Sequence, residues 1–238
     1  MRRFYASPEQ FQTETVRLNL DETKHLRDVL RLKETDKARI FDGDGREFLC
    51  AIEAIGKRET VLKIIEEISA PAPESALDLT LAVALLKGEK FDLVIQKAVE
   101  LGVTRFVPLS TKRADVKLKD AEKRIERWRK IALEAAKQSG RAKLMRIENL
   151  VDFEKFVEAE QGTKILFAER GGTDFFAVEQ SEKIVAVVGA EGGWEASEID
   201  VARENEFQIV TFGGRILRAE TAAISIAAIL QHRFGDLI

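Results

Sequence analysis

The chain has 238 residues, 45% of them hydrophobic and 33% charged, enough to bury a core in one large domain or two modest ones. A single cysteine, Cys50, excludes a disulfide framework and favours a reducing compartment, and with only His25 and His232 beside it a zinc site, or any other metal, is not expected. The net charge of −3 does not by itself favour a polyanion partner, no apolar run reaches bilayer length, and Met1-Arg2-Arg3 leads into no apolar stretch, so a cytoplasmic protein without membrane or signal segments is expected.

From Met1 to about Ala70 the β-prone runs Arg3–Ala6, Ala38–Phe41, Glu47–Ile55 and Thr60–Ile68 predict a small barrel-like sheet. It is punctuated by the turn Asp42-Gly43-Asp44-Gly45 and by Gly56. One helix is expected at about Glu22–Leu32, with Leu26, Val29 and Leu30 on its apolar side. His25 reads as a packing or surface residue. Ala70-Pro71-Ala72-Pro73-Glu74-Ser75 is the linker candidate, since prolines this dense continue neither strand nor helix. The expected domains are therefore 1–72 and 73–238.

Beyond the linker, strands and helices alternate. Strand Leu77–Leu86 is followed by a helix at Glu89–Leu101, stopped by Gly102, then by strand Arg105–Leu109, a basic helix and a short strand near Leu144–Ile147. Next come a helix near Phe153–Glu158, strands Lys164–Ala168 and Lys183–Val188, a helix at Ala196–Asn205 and strand Gln208–Thr211. The chain closes with helix Ala219–Phe234. This alternation predicts an α/β domain with a mostly parallel sheet. The last helix is apolar nearly all round, so it belongs in the core or in a subunit contact.

Residues 105–146 hold 14 Lys/Arg against 5 Asp/Glu, leaving a deficit of positive charge elsewhere. One basic surface on an otherwise acidic chain is the footprint of polyanion binding. Within the basic helix, Glu126 and Glu134 at i,i+4 to Lys130 fit a merely solvated face equally well. Lys112-Arg113 and Gln138-Ser139-Gly140-Arg141 carry no such internal acids and are the better contacts.

Open α/β sheets bind ligands beyond the C-terminal strand ends. Three glycine-bearing loops fall there: Glu169-Arg170-Gly171-Gly172, Gly189-Ala190-Glu191-Gly192-Gly193-Trp194, and Phe212-Gly213-Gly214-Arg215-Ile216-Leu217-Arg218-Ala219-Glu220-Thr221. Each alone reads as a tight turn; three together suggest one ligand site approached closely by backbone. The P-loop and the G-x-G-x-x-G patterns are absent, as is any Ser/His/Asp or Cys/His set at a recognisable spacing. Nucleoside triphosphates, dinucleotides and hydrolysis lose ground accordingly.

Gly189-Ala190-Glu191-Gly192-Gly193 resembles the G-P-E-G-G loop of the SPOUT (trefoil-knotted) RNA methyltransferases. Phe212–Ala222, F-G-G-R-I-L-R-A-E-T-A, is similar to the L-G-x-R-I-L-R-x-E-T-A segment of the RsmE branch, the 16S ribosomal RNA uridine-N3 methyltransferases. M-R-R-F-Y-A at the start, His25–Arg31, Lys87–Val103 (with K-G-E-K at its head) and Gln138–Arg141 resemble that branch as well. Two departures are Ala190 where proline is usual, which leaves the loop less rigid, and Phe212 where leucine is usual; neither removes a functional group. The resemblance implies a PUA-like β-barrel domain that binds RNA, an α/β trefoil-knot domain, S-adenosylmethionine as methyl donor, a homodimer, and 16S RNA in the small ribosomal subunit as substrate.

The site residues it implies are of three kinds. Donor contacts fall on Phe167, Ala168, Gly189, Ala190, Glu191, Gly192, Gly193, Phe212, Gly213, Ile216, Leu217, Ala219, Thr221 and Ala222. RNA contacts fall on Arg2, Arg3, Arg27, Arg31, Lys112, Arg113, Gln138, Arg141 and Arg215. Arg218 and Glu220 are the catalytic candidates: a cation for the anion developing on uracil O2 and O4, and a carboxylate for the N3 proton. Arg215 and Arg218 could instead pair with Glu191 or Glu220, and Glu220 could simply complement a helix N-terminus. A methyltransferase of the same fold acting on transfer RNA or large-subunit RNA, and an inactive RNA-binding relative, remain open readings.

Overall fold

Two runs of alternating apolar residues set up two separate cores. The structure is a computed structural model that describes residues 2–114 and 121–237, so residues 115–120 of the basic stretch lie outside it. The chain divides into two units, one made of Met1–Glu74 with Ala136–Leu144, the other of Ser75–Ala135 with Met145–Ile238.

The first unit carries strands β1 (Arg3–Tyr5), β2 (Thr15–Leu18), β3 (Lys37–Phe41), β4 (Glu47–Ile55) and β5 (Thr60–Ile68) in the order β1-β3-β4-β5-β2. β1 runs parallel to β3; the other neighbours are antiparallel. Strand alternation sends Phe4, Val16, Leu18, Ile40, Phe48, Cys50, Ile52 and Leu62 inward together. The β3–β4 hairpin forms at the expected turn, where the Asp42 carboxylate accepts from the Asp44 and Arg46 backbone N–H groups. Burial pushes the Cys50 thiol up to about 12, so it is a core filler rather than a nucleophile.

Helix α1 (Leu20–Lys24) starts on an Asn19 cap at 3.0 Å and widens into a π-helical turn over His25–Val29. The widening rotates the following residues off the helical register. Leu26 stays buried, but Val29 is 69% exposed, which corrects the expected apolar side.

In the second unit, β6 (Asp78–Ala84), β7 (Arg105–Ser110), β8 (Arg146–Ile147), β9 (Val151–Asp152), β10 (Thr163–Ala168), β11 (Thr173–Asp174), β12 (Lys183–Val188) and β13 (Gln208–Thr211) form one wholly parallel sheet. Its order is β11-β13-β10-β12-β6-β7-β8, with β9 also on β7. The helices are α2 (Lys90–Glu100), α3 (Ala121–Ser139, its residues from Ala136 on belonging to the first unit), α4 (Phe153–Ala159), α5 (Ala196–Glu204) and α6 (Ala219–Phe234). On one sheet face Ala82, Val107, Leu109, Val185 and Val187 pack with Phe153, Phe156 and Ala202 of α4 and α5. On the other, Phe106 meets Phe91 of α2, which also meets Trp128 of α3. α6 is tied in by Gln231, buried, whose amide donates to Gly102 O and accepts from Ser75 Oγ. No helix among the described residues is long and apolar enough to cross a membrane, and no group of His, Cys, Asp or Glu among them could hold a metal ion.

Candidate active site

β10 lies between β12 and β13, so the loops leaving these three strands must emerge side by side at the C-terminal edge of the sheet. They wall a cavity of about 270 Å³. Phe167, Ala168 and Glu169 come from the end of β10; Val188, Gly189, Ala190, Glu191, Gly193 and Trp194 follow β12. Phe212, Arg215, Ile216, Leu217 and Arg218 follow β13, and Ala219, Ala222 and Ile226 come from the first turns of α6.

Local packing fixes these loops. The Trp194 indole N–H donates to Phe167 O at 2.9 Å, and the ring lies against Gly189, where a Cβ would come within 3.0 Å of it. Gly193, at φ +68, closes the turn by donating to Ala190 O. Arg113 braces the same loop from outside, donating to Gly192 O at 3.1 Å and pairing with Glu195 at 2.7 Å. That guanidinium holds the Glu195 carboxylate below its usual range. Lys90, the first residue of α2, pairs with Glu191 at 3.0 Å and with Glu220 at 3.6 Å. Burial pushes the Glu191 carboxyl up, but the Lys90 ammonium and backbone N–H groups outweigh it and hold the group below its ordinary value.

The two glutamates are thus taken by Lys90. Among the described residues neither Arg215 nor Arg218 forms an ion pair; both are exposed at the cavity mouth. Of the residues expected to hold a donor, Gly192, Gly213 and Thr221 are not on the cavity wall. Gly192 is under Arg113, and Thr221 is exposed on α6. Glu220 stands one residue behind the wall, and its Oε2 is buried without a hydrogen bond among the described residues.

Two of the expected RNA contacts are corrected. Arg3 is buried, with its guanidinium on the fully buried Glu47 and on the carbonyls of Ala136, Lys137 and Arg141. Arg141 is 4% exposed and bound to Glu74 at 2.6 Å. Both side chains are buried on partners of the first unit, which takes them off the exposed surface. Arg2, Arg31 and Gln138 are exposed. Arg27 is held by Asp28 and by the carbonyls of Gly56 and Lys57. Lys112 is exposed beside Glu154 and Ser197.

Sequence reasoning left Lys90, Glu169, Val188, Trp194 and Ile226 unassigned. Ile226 was reachable, lying four residues after Ala222 and seven after Ala219 on one helical face. Lys90 carried no local signal, because its partners are about 100 and 130 residues away in sequence.

Comparison with known proteins is consistent along the chain. A model of the RNA methyltransferase domain family matches residues 73–231, and one of the RNA methyltransferase PUA domain matches residues 18–65. The chain is 36% identical to the ribosomal RNA small subunit methyltransferase E of Synechocystis sp., covering 92% of this chain and 74% of that protein. It is 30% identical to the protein of that name from Bacillus subtilis over 98% and 97% of the two. A crystal structure of a ribosomal RNA small subunit methyltransferase E from Neisseria gonorrhoeae bound to S-adenosyl methionine superposes with a TM-score of 0.92, at 33% identity and full coverage of both chains.

Proposed function

The chain belongs to the ribosomal RNA small subunit methyltransferase E family, and from that membership we propose that it transfers a methyl group from S-adenosylmethionine to N3 of a uridine in 16S ribosomal RNA. The observation that carries the reading is that Phe212, Arg215, Ile216, Leu217, Arg218, Ala219 and Ala222, from the segment whose sequence marks the family branch, wall the same cavity as Gly189, Ala190, Glu191 and Gly193.

The cavity suits such a donor. Its walls combine apolar side chains, Phe167, Phe212, Leu217 and Ile226, with backbone exposed by Gly189 and Gly193. We assign donor binding to the lining residues, with Gly192 and Gly213 keeping the loops in shape and Thr221 standing beside them. When bound, S-adenosylmethionine supplies a sulfonium-activated methyl group. Uracil N3 sits on the Watson–Crick edge and carries a hydrogen, so the base must be unpaired or flipped out before it can react. Arg218, exposed at the mouth and in no ion pair among the described residues, is assigned to the charge that develops on O2 and O4. Glu220, in the first turn of α6 next to the lining residue Ala219, is assigned as acceptor of the N3 proton; catalytic hydrogen bonds commonly tighten only in the substrate complex. Arg2, Arg27, Arg31, Lys112, Arg113, Gln138 and Arg215 are assigned to RNA, with residues 1–72 as the RNA-binding PUA-like domain and 73–238 as the catalytic one.

We also propose a homodimer, a knotted path in the catalytic domain, and action in the cytoplasm on the assembled small subunit. The half-buried Ile224, Ala228 and Ile229 of α6 support a subunit contact, and β10 lying between the later strands β12 and β13 supports the knot. The test is incubation of the protein and labelled S-adenosylmethionine with unmodified small subunits, large subunits and transfer RNA, followed by nucleoside mapping. Label in N3-methyluridine of 16S RNA is expected. Label in another RNA would reassign the substrate, and RNA binding without label would remove the activity.

A further inference from the structure

Lys90 ties the donor loop to the segment carrying the catalytic candidates. Its ammonium stands 3.0 Å from Glu191, on the cavity wall, and 3.6 Å from Glu220 in the first turn of α6. The two carboxylates reach it from loops that follow different strands, β12 and β13, and neither has another ion-pair partner among the described residues. Two like charges converging on one edge of a cavity repel unless a cation lies between them. Glu220 is the more demanding of the two. Its side chain is 14% exposed, and its buried Oε2 has no hydrogen bond, so the Lys90 charge is what compensates it.

We propose that Lys90 is a positioning residue for the methyl transfer, an ionic clip that fixes the Gly189–Gly193 loop and the Glu220 carboxylate relative to each other. The inference rests on the reading above, which assigns the donor to the Gly189–Gly193 loop and the proton to Glu220. Lys90 is not on the cavity wall and touches no reacting atom; it acts through Glu191 on the donor and through Glu220 on the proton. This predicts two couplings that a general packing role would not produce. Removing Lys90 and Glu191 together should weaken donor binding little more than removing either alone. Removing Lys90 and Glu220 together should slow turnover little more than removing either alone.

The experiment compares Lys90→Met, which keeps the aliphatic stem but deletes the charge, with Lys90→Arg, Glu191→Gln, Glu220→Gln and the two double variants. Donor affinity is measured by calorimetry with S-adenosylmethionine alone, turnover under single-turnover conditions, and RNA affinity with small subunits. Lys90→Met should weaken donor binding by about fivefold and slow transfer by about tenfold, with RNA affinity unchanged, and Lys90→Arg should restore part of both. Additive effects in both double variants overturn the proposal, as does a loss confined to RNA affinity, which would make Lys90 a phosphate contact. If the unaltered protein methylates none of the RNAs, the substrate reading fails, while the calorimetric cycle with Glu191 still decides whether the clip exists.

Discussion

Replacing Gly189 by alanine tests whether packing, rather than loop flexibility, shapes the cavity. The added Cβ would sit 3.0 Å from Cε2 and 3.1 Å from Nε1 of Trp194. The ring cannot retreat freely: it packs 5.0 Å from the Phe153 ring and is held to Phe167 O at 2.9 Å. Overpacking of this kind costs about 1–3 kcal/mol. If the ring escapes by breaking its hydrogen bond, a buried donor and acceptor are left unpaired at a cost of at least ~1 kcal/mol. Either route leads to about 2 kcal/mol, or a melting temperature lower by roughly 4–8 °C for a chain of this size. Phe167 and Gly189 both line the cavity, so the displacement should also weaken S-adenosylmethionine binding by about tenfold. Scanning calorimetry gives the first quantity and titration calorimetry the second. A melting temperature within ~1 °C of the parent with unchanged donor affinity would refute the steric argument.

Arg218→Ala should cut single-turnover transfer by at least ~100-fold while changing donor affinity less than about threefold; equal losses would move Arg218 into the donor site. Arg113→Ala should weaken donor binding several-fold by releasing Gly192 O and Glu195, and a loss only of RNA affinity would leave it an RNA contact with no part in shaping the donor loop. Arg3→Ala should destabilise the protein by about 3 kcal/mol in urea unfolding, since it strips a buried Glu47 of one of its two arginines; Arg2→Ala, at an exposed position, should leave stability unchanged. The Lys90–Glu191 pair also predicts a pH window. Glu191 is depressed below the ordinary 4.5, so its contribution is present above that value and is lost as pH falls through the folded one; Lys90 is raised above 10.5, so its contribution is lost only in strong alkali. The difference in melting temperature between the parent and Lys90→Met should therefore be flat from about pH 6 to 9 and shrink in acid.

Periodic signals were legible at element length. Glu47–Ile55, Thr60–Ile68, Lys183–Val188, Gln208–Thr211 and Ala219–Phe234 form with the bounds their patterns suggest. Thr15–Leu18, Val151–Asp152 and Thr173–Asp174 were not: the last two are too short to show any alternation, Thr15–Leu18 has only Val16 and Leu18 as apolar residues, and pairing makes all three strands. The three glycine loops were legible as strand-end features. Their meeting at one cavity was not, since it depends on β10 lying between β12 and β13. Arg3 and Arg141 resemble surface arginines in any local window; only long-range partners, Glu47 at 44 residues and Glu74 at 67, turn them inward.

Strand order also imposes a timetable. β6 is complete by residue 84, yet one of its two neighbours, β12, begins at residue 183, about a hundred residues later. Closing so long a loop is slow, and until it closes an apolar strand has one edge uncovered. The cavity lags further, because Ile226 supplies part of its wall. A chain still in synthesis, or one cut short before that helix, can own a finished first unit and its strands while lacking a wall of the cavity we assign to the methyl donor. Donor binding therefore reports that the fold has been completed, and added S-adenosylmethionine should favour the final step of refolding over every earlier one.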